Sequence, residues 1–466
     1  MLTPSWKTTA WDALVAVALL LALETQLRTG DGPLGPGEAL LLVWLAPMLF
    51  RLVIARPRFV PKPFWEVCRF WVALGAALSL GFGATIVRDV PVDLSLVVHD
   101  VAAYILLVAF TCALTISPVA PARLHAVAWM TVLCGSTLLL LQLANSAGWF
   151  SLPRIDPWYW DRMRGWSDNP NQFALLCLLL GFMAVALAEK ASRLAWSAIA
   201  SGCAALAFGV GLLAKSNAFL AVVVAGLLLF AFAKFGRLAF RAERGGAPAA
   251  SLALGIAAAI AWVLCAASPV TGLGIGELKS TTTMARGGEG DSEDAALRVQ
   301  LWEQAIKVGV GSWALGLGPG PHLEIPQSIL AGRRDENVPI NLQHPAPGLA
   351  ANFEAHNTVL ELFVQGGLAA VTAFLAVLAT GIYRSWKSQA HGMVALLFSM
   401  MVFGSFHVIF RHPIVWFVLC LALVQRPCAE REAARTRPTA RAGLVRRRLF
   451  WARRAIAQPI RRELSV

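Results

Sequence analysis

NQFALLCLLLGFMAVAL, from Asn171 to Leu187, carries no charged residue and is about long enough to cross a bilayer. Runs like it recur along the whole chain. Others are expected near Asp12–Leu27, Gly37–Ile54, Val67–Val87, Leu94–Ile116, Leu124–Leu143, Leu194–Ala214, Ala218–Phe235 and Ser251–Ala267. Three more follow at Asn357–Ile382, Met393–Phe410 and Ile414–Val424. Twelve such runs predict an all-α, polytopic transmembrane helical bundle. The first run reads as a span and not as a cleaved signal, because many others follow it.

Composition agrees. Hydrophobic residues make up 57% of the 466 and charged residues 14%, against roughly 25% charged in a soluble protein. Most of the surface must therefore face lipid. The net charge of +13 does not indicate nucleic acid, because it lies in loops and in the last forty residues. The eight cysteines show neither a disulfide framework nor metal-ligand spacing, and read as packing residues. No cofactor and no metal are expected.

Lysine and arginine orient the chain. With the N-terminus inside, the short cytoplasmic loops carry fifteen of them and the opposite short loops seven, leaving aside the tail and the long loop. Both termini are expected in the cytoplasm. The organisation predicted is spans one to nine over 1–267, including a non-cytoplasmic loop at 145–170, then a long non-cytoplasmic loop at 268–356 with short amphipathic helices. Spans ten to twelve follow over 357–425, then a basic tail over 426–466. The aromatic residues of the 145–170 loop can anchor at the interface or stack on sugar. The tail suits a membrane-surface helix or a disordered segment held by anionic lipid.

Three segments could carry chemistry. On a helical wheel, Leu297, Leu301, Trp302 and Ala305 fill an apolar arc with Arg298 near its middle. A guanidinium there needs an anion, an ion pair or a route to water. His356 begins a span, where it can exchange a proton or simply hydrogen-bond. Asn357, Glu361 and Gln365 follow as one polar stripe, suited to a site or to helix–helix bonding. In RGWSDNPNQFALL (Arg164–Leu176), Asp168 or Asn169 can cap the helix that Pro170 begins. Its free N–H groups would favour an anion, with Asn171 in the first turn and Arg162 and Arg164 just before.

RGWSDNPNQFALL, LRVQLW (Leu297–Trp302) leading into ALGLGPG (Ala314–Gly320), and AHNTVLELFVQGGLAA (Ala355–Ala370), in that order, resemble the O-antigen ligase and polymerase superfamily of bacterial envelope glycosyltransferases. The resemblance covers the second half of the chain. It implies a GT-C-like bundle in the bacterial inner membrane, with the active site at the periplasmic face. It implies inverting, metal-independent transfer of a glycan from undecaprenyl diphosphate to lipid A core or to another lipid-linked glycan. It casts Arg164 and Arg298 as diphosphate-binding residues and His356, with Arg298, as catalytic. Asn357, Glu361, Asn169 and Asn171 would support them. Many relatives carry Ser-Arg where this chain has AKSNAF (Ala214–Phe219), with Asn217 in the arginine's place. Lys215 can supply that charge, as a point and not as a fork. A pairing of Arg with Gly eleven positions on, at Arg154 and Gly165 and at Arg298 and Gly309, occurs in some polymerases and leaves ligase and polymerase even. A transporter or flippase of lipid-linked glycans is the alternative.

Overall fold

The computed structural model describes residues 6–28, 34–55, 60–242, 292–326 and 349–425. It is mostly helical. The described helices are α1 (Trp6–Leu21), α2 (Pro36–Ala55), α3 (Lys62–Val87), α4 (Leu94–Thr115), α5 (Ala120–Ser146), α6 (Pro170–Lys190), α7 (Leu194–Leu212) and α8 (Asn217–Ala242). After them come α9 (Ser292–Gly311), α10 (Thr358–Lys387), α11 (His391–Gly404) and α12 (Pro413–Leu423). Among the described residues seven helices are long and apolar enough to cross a membrane: α3 to α7, α8 as far as Lys234, and α10. Shorter apolar helices (Trp11–Leu21, Pro36–Phe50, α11 and α12) stand where four further spans were expected. The fold is thus consistent with an all-α membrane protein, while seven helices and not twelve meet the length of a span. The expected span at Ser251–Ala267 and the basic tail lie outside the described residues.

Local sequence explains three of the helix starts. Asn169 caps α6, its side chain accepting from the Asn171 amide at 2.8 Å, with Pro170 in the first turn as expected. Asp93 caps α4 through Ser95, and Asn357 caps α10 through Val359 and Leu360. Two expected spans end early. α1 stops at Leu21, because the next residues turn to bond a distant loop: Gln26 donates to the Ser167 and Asp156 carbonyls. α11 stops at Gly404, because Thr358 holds the following turn, donating to the His407 carbonyl and accepting from the Ile409 amide.

α6 is apolar on every side and buried without a break from Phe173 to Ala184, as a helix at the centre of a bundle must be. α5, α7 and α11 surround it. The C-terminal ends of α1, α3, α5, α7 and α11 gather with the N-terminal ends of the helices that follow them. This loop-rich end is called the site end below. The opposite end is tied by Arg123 to Asp12 at 2.7 Å, Arg384 to Glu66 at 2.6 Å and Lys234 to Glu189 at 2.5 Å.

Two short antiparallel strand pairs qualify the expectation of helices alone. β1 (Trp158–Tyr159) pairs with β2 (Arg162–Met163), and β3 (Leu323–Pro326) with β4 (Leu349–Phe353), both antiparallel. β3 turns Leu323 and Ile325 toward Leu301 and Ala305 of α9, making a small second core with Ala355 and Val364. The strands of this pair are too far apart in sequence for local periodicity to show them.

α10 is broken at Gly366 and Gly367, the latter at φ 63°. The break frees carbonyls that must find donors. Leu317 and Gly318 supply them, donating to Val364 and Gln365 at 2.8 and 2.7 Å, while Leu368 donates back to Ala314. The ALGLGPG segment is therefore seated in the gap of QGGLA, and two of the quoted segments are halves of one joint.

Candidate functional site

The site end is built around the turn between α11 and α12. His407 lies there, with its Nε2 buried and without a partner among the described residues. Burial holds its imidazole down, to about 3, and Arg298 and Arg162, with His356 when it is protonated, push the same way. Four segments supply these groups: β2, α9, the start of α10 and the α11–α12 turn. Trp302, one turn after Arg298, lies against Phe406 with ring centroids 6.4 Å apart and the planes tilted by 44°. Arg298 is half-buried on the face of α9 that holds buried Leu301 and Ala305.

Arg162 is held by its backbone surroundings. Its Nε donates to the Ala214 carbonyl at 3.0 Å and its Nη2 to Asn171 Oδ1 at 3.2 Å. No carboxylate forms an ion pair with it among the described residues. Asn171 thus lies at the site end and holds Arg162. Arg164 points elsewhere: it bonds Asp156 through Nη2 at 3.1 Å and lies 5.6 Å from the centre of the Tyr159 ring. Lys215 is paired with Asp161 at 2.6 Å, both of them substantially exposed.

His356 sits at φ 48°, a left-handed conformation uncommon for a residue with a Cβ. Its neighbours impose it. Ala355 donates its amide to Glu361 Oε2 at 2.8 Å, Asn357 is committed to its cap, and Glu354 is bound by Arg411 at 2.6 Å. The side chain is left exposed at the site end. Of the expected stripe, Glu361 and Gln365 do join, at 2.8 Å. Asn357 does not, because the helix amides hold its carboxamide.

Arg411 is the residue that sequence reasoning passed over. It reaches Asp100 at 2.9 Å and Glu361 at 3.4 Å as well as Glu354. Burial opposes its charge, but Glu354, Tyr104, Asp100 and Glu361 outweigh burial and hold the guanidinium above its ordinary value. Tyr104 donates to Gln365 at 2.6 Å, and Asp100 accepts from the Gly320 amide at 3.0 Å. This network locks α4, α10 and the glycine-rich segment together behind His356. The signal was an arginine between two short apolar runs, FRHP; its partners lie in remote segments.

The arrangement places two arginines on one side and a rigid, polar support on the other. No protein-family model, curated protein or solved structure matches the chain.

Proposed function

We propose that the chain is a bacterial membrane glycosyltransferase of the O-antigen ligase and polymerase type. It would span the inner membrane twelve times, with both termini cytoplasmic and the site end periplasmic. One observation carries the reading: Arg162, Arg298 and His356, from three remote segments, all lie close enough to the buried imidazole of His407 to act on it. Such a group suits a diphosphate. Arginine offers a planar fork of donors that phosphate oxygens fit.

In this reading the hydroxyl oxygen of the acceptor attacks the anomeric carbon of the donor glycan. The bond from that carbon to the diphosphate oxygen breaks, and the configuration inverts. Arg298 and Arg162 receive the negative charge that develops on the leaving undecaprenyl diphosphate. His356 takes the proton of the attacking hydroxyl. Glu361 and the Arg411 network keep His356 in position. No metal or cofactor enters the scheme. The acceptor is lipid A core in a ligase and a second lipid-linked glycan in a polymerase.

The test is reconstitution of the purified chain with a polyprenyl-diphosphate-linked glycan, offered both acceptors in parallel. Transfer without nucleotide sugar is expected, and the acceptor consumed distinguishes ligase from polymerase. Arg298→Ala and His356→Ala are each expected to lower transfer at least 100-fold, on the scale of losing one charge-stabilising or proton-transferring group, with normal membrane insertion. Full activity in both variants would overturn the site. Movement of the lipid across liposomes without transfer would replace the transferase by a flippase.

A further inference from the structure

Two cavities lie against the far side of the Arg411 network, and they share a wall. The larger, about 400 Å³, is a crevice between α3 and α4. Its floor is buried Trp71, Leu74, Leu78 and Tyr104, and exposed Gly75 and Ile105 stand at its lips. It therefore opens sideways on the surface of two membrane-spanning helices, where the surrounding matter is hydrocarbon. From Trp71 to Phe82 it runs about 16 Å at 1.5 Å per residue, close to half of a hydrocarbon core about 30 Å thick. That is the depth of a single leaflet.

The smaller cavity, about 150 Å³, lies at the site end, and Val97 lines both. Its polar lining is Asp93, His322 and Glu324. His322 places Nε2 2.9 Å from the Gly318 carbonyl. A carbonyl only accepts, so this nitrogen carries the hydrogen. Burial pulls the imidazole below its ordinary value, which leaves Nδ1 as a bare acceptor. Two carboxylates and an imidazole acceptor repel a phosphate and welcome hydroxyl donors. The basic group around His407 has the opposite preference.

We propose that the two adjoining cavities bind a neutral glycolipid, with a hydrocarbon chain in the α3–α4 crevice and sugar hydroxyls against Asp93, His322 and Glu324. The network behind the crevice leads toward the candidate site: Tyr104 bonds Gln365, Gln365 bonds Glu361, and Glu361 fixes Ala355 beside His356. Both acceptors named above carry phosphate, so the neutral glycolipid is neither of them, and its binding does not rest on the transferase reading.

The experiment places the full chain in phospholipid nanodiscs containing glucosyl diacylglycerol with a diazirine on one acyl chain. Phosphatidylglycerol with the same chain is the comparison, and labelled peptides are mapped by mass spectrometry. The glucolipid is expected to label α3 and α4 at least fivefold more than phosphatidylglycerol does. Gly75→Trp should remove that labelling, since a side chain at Gly75 meets open space and would fill the crevice. Leu80→Trp, exposed on the same helix away from the lining, should leave it intact and shows that an added indole is tolerated. His322→Ala and Glu324→Gln should each lower the preference toward the phosphatidylglycerol level. Equal labelling by both lipids, or labelling indifferent to Gly75→Trp, would overturn the proposal. Labelling needs no donor, so the two readings separate. Labelling without transfer supports the site and removes the transferase, whereas transfer without labelling removes the site alone.

Discussion

At the scale of single residues, the two arginines that flank Met163 have different work. Arg164 spends its guanidinium on exposed Asp156, while Arg162 faces the same imidazole as Arg298 and His356. β2 ends at Met163, so Arg164 lies just past the strand, and different partners hold the two arginines apart. Single-turnover transfer should therefore fall about 100-fold in Arg162→Ala, the scale of one lost oxyanion donor, and less than tenfold in Arg164→Ala. Arg162→Lys should recover part of the loss as a point charge without the fork. The reverse order of the two alanine variants would return the diphosphate role to Arg164. Arg298→Lys extends the same logic: near-normal transfer would mean that fork geometry is dispensable there.

At the scale of elements, the break in α10 is where long-range structure is decided. Gly367 combines φ 63° with the closest approach of the Ala314 carbonyl to the space a Cβ would fill. Gly367→Ala should thus be destabilised by about 1–3 kcal/mol, as strained backbone positions are, and should lower thermal stability in detergent. Gly202→Ala, where a Cβ meets nothing within 4 Å, should be neutral or slightly stabilising, since alanine favours a helix interior. Equal effects would mean that the joint with Ala314–Gly318 carries no strain. The contrast also explains what could be read in advance. Helix runs and the Asn169 cap depend on neighbours within a few residues, and sequence shows them. The seat of ALGLGPG in QGGLA joins segments about fifty residues apart, so each half was visible as a pattern and their union was not. Arg411 was hidden for the same reason: Asp100, some three hundred positions away, supplies one of its carboxylates. The early end of α1 likewise depends on Asp156 and Ser167, which no local hydrophobic pattern foretells.

At the scale of the whole molecule, buried titratable groups at the site end should give stability a maximum in pH. Glu24, in the turn after α1, is fully buried and bonded by Gln142 at 2.8 Å. Burial raises its carboxyl from 4.5 to about 8. The folded chain therefore holds a proton that the unfolded chain releases above pH 4.5. That contribution is complete below 4.5, declines as pH rises toward 8, and is gone above it, at about 1.4 kcal/mol per pH unit for each proton. His407 and His412 work in the other direction. Burial holds them down from 6.5, to about 3 and about 4, with nearby arginines adding to the shift. Between those values and 6.5 the unfolded chain binds the extra protons, so stability rises with pH until 6.5 and then levels. From pH 4.5 to 6.5 two rising terms oppose one falling term and the rise wins; from 6.5 to 8 only the fall from Glu24 remains among these three groups. Thermal unfolding in detergent between pH 4.5 and 9 should therefore peak near 6.5. Glu24→Gln keeps a hydrogen-bonding side chain toward Gln142 and cannot titrate, so the decline above 6.5 should flatten while the rise below it steepens. A decline of unchanged slope in that variant would mean that Glu24 is ionised in the fold, and that some other buried carboxyl holds the proton.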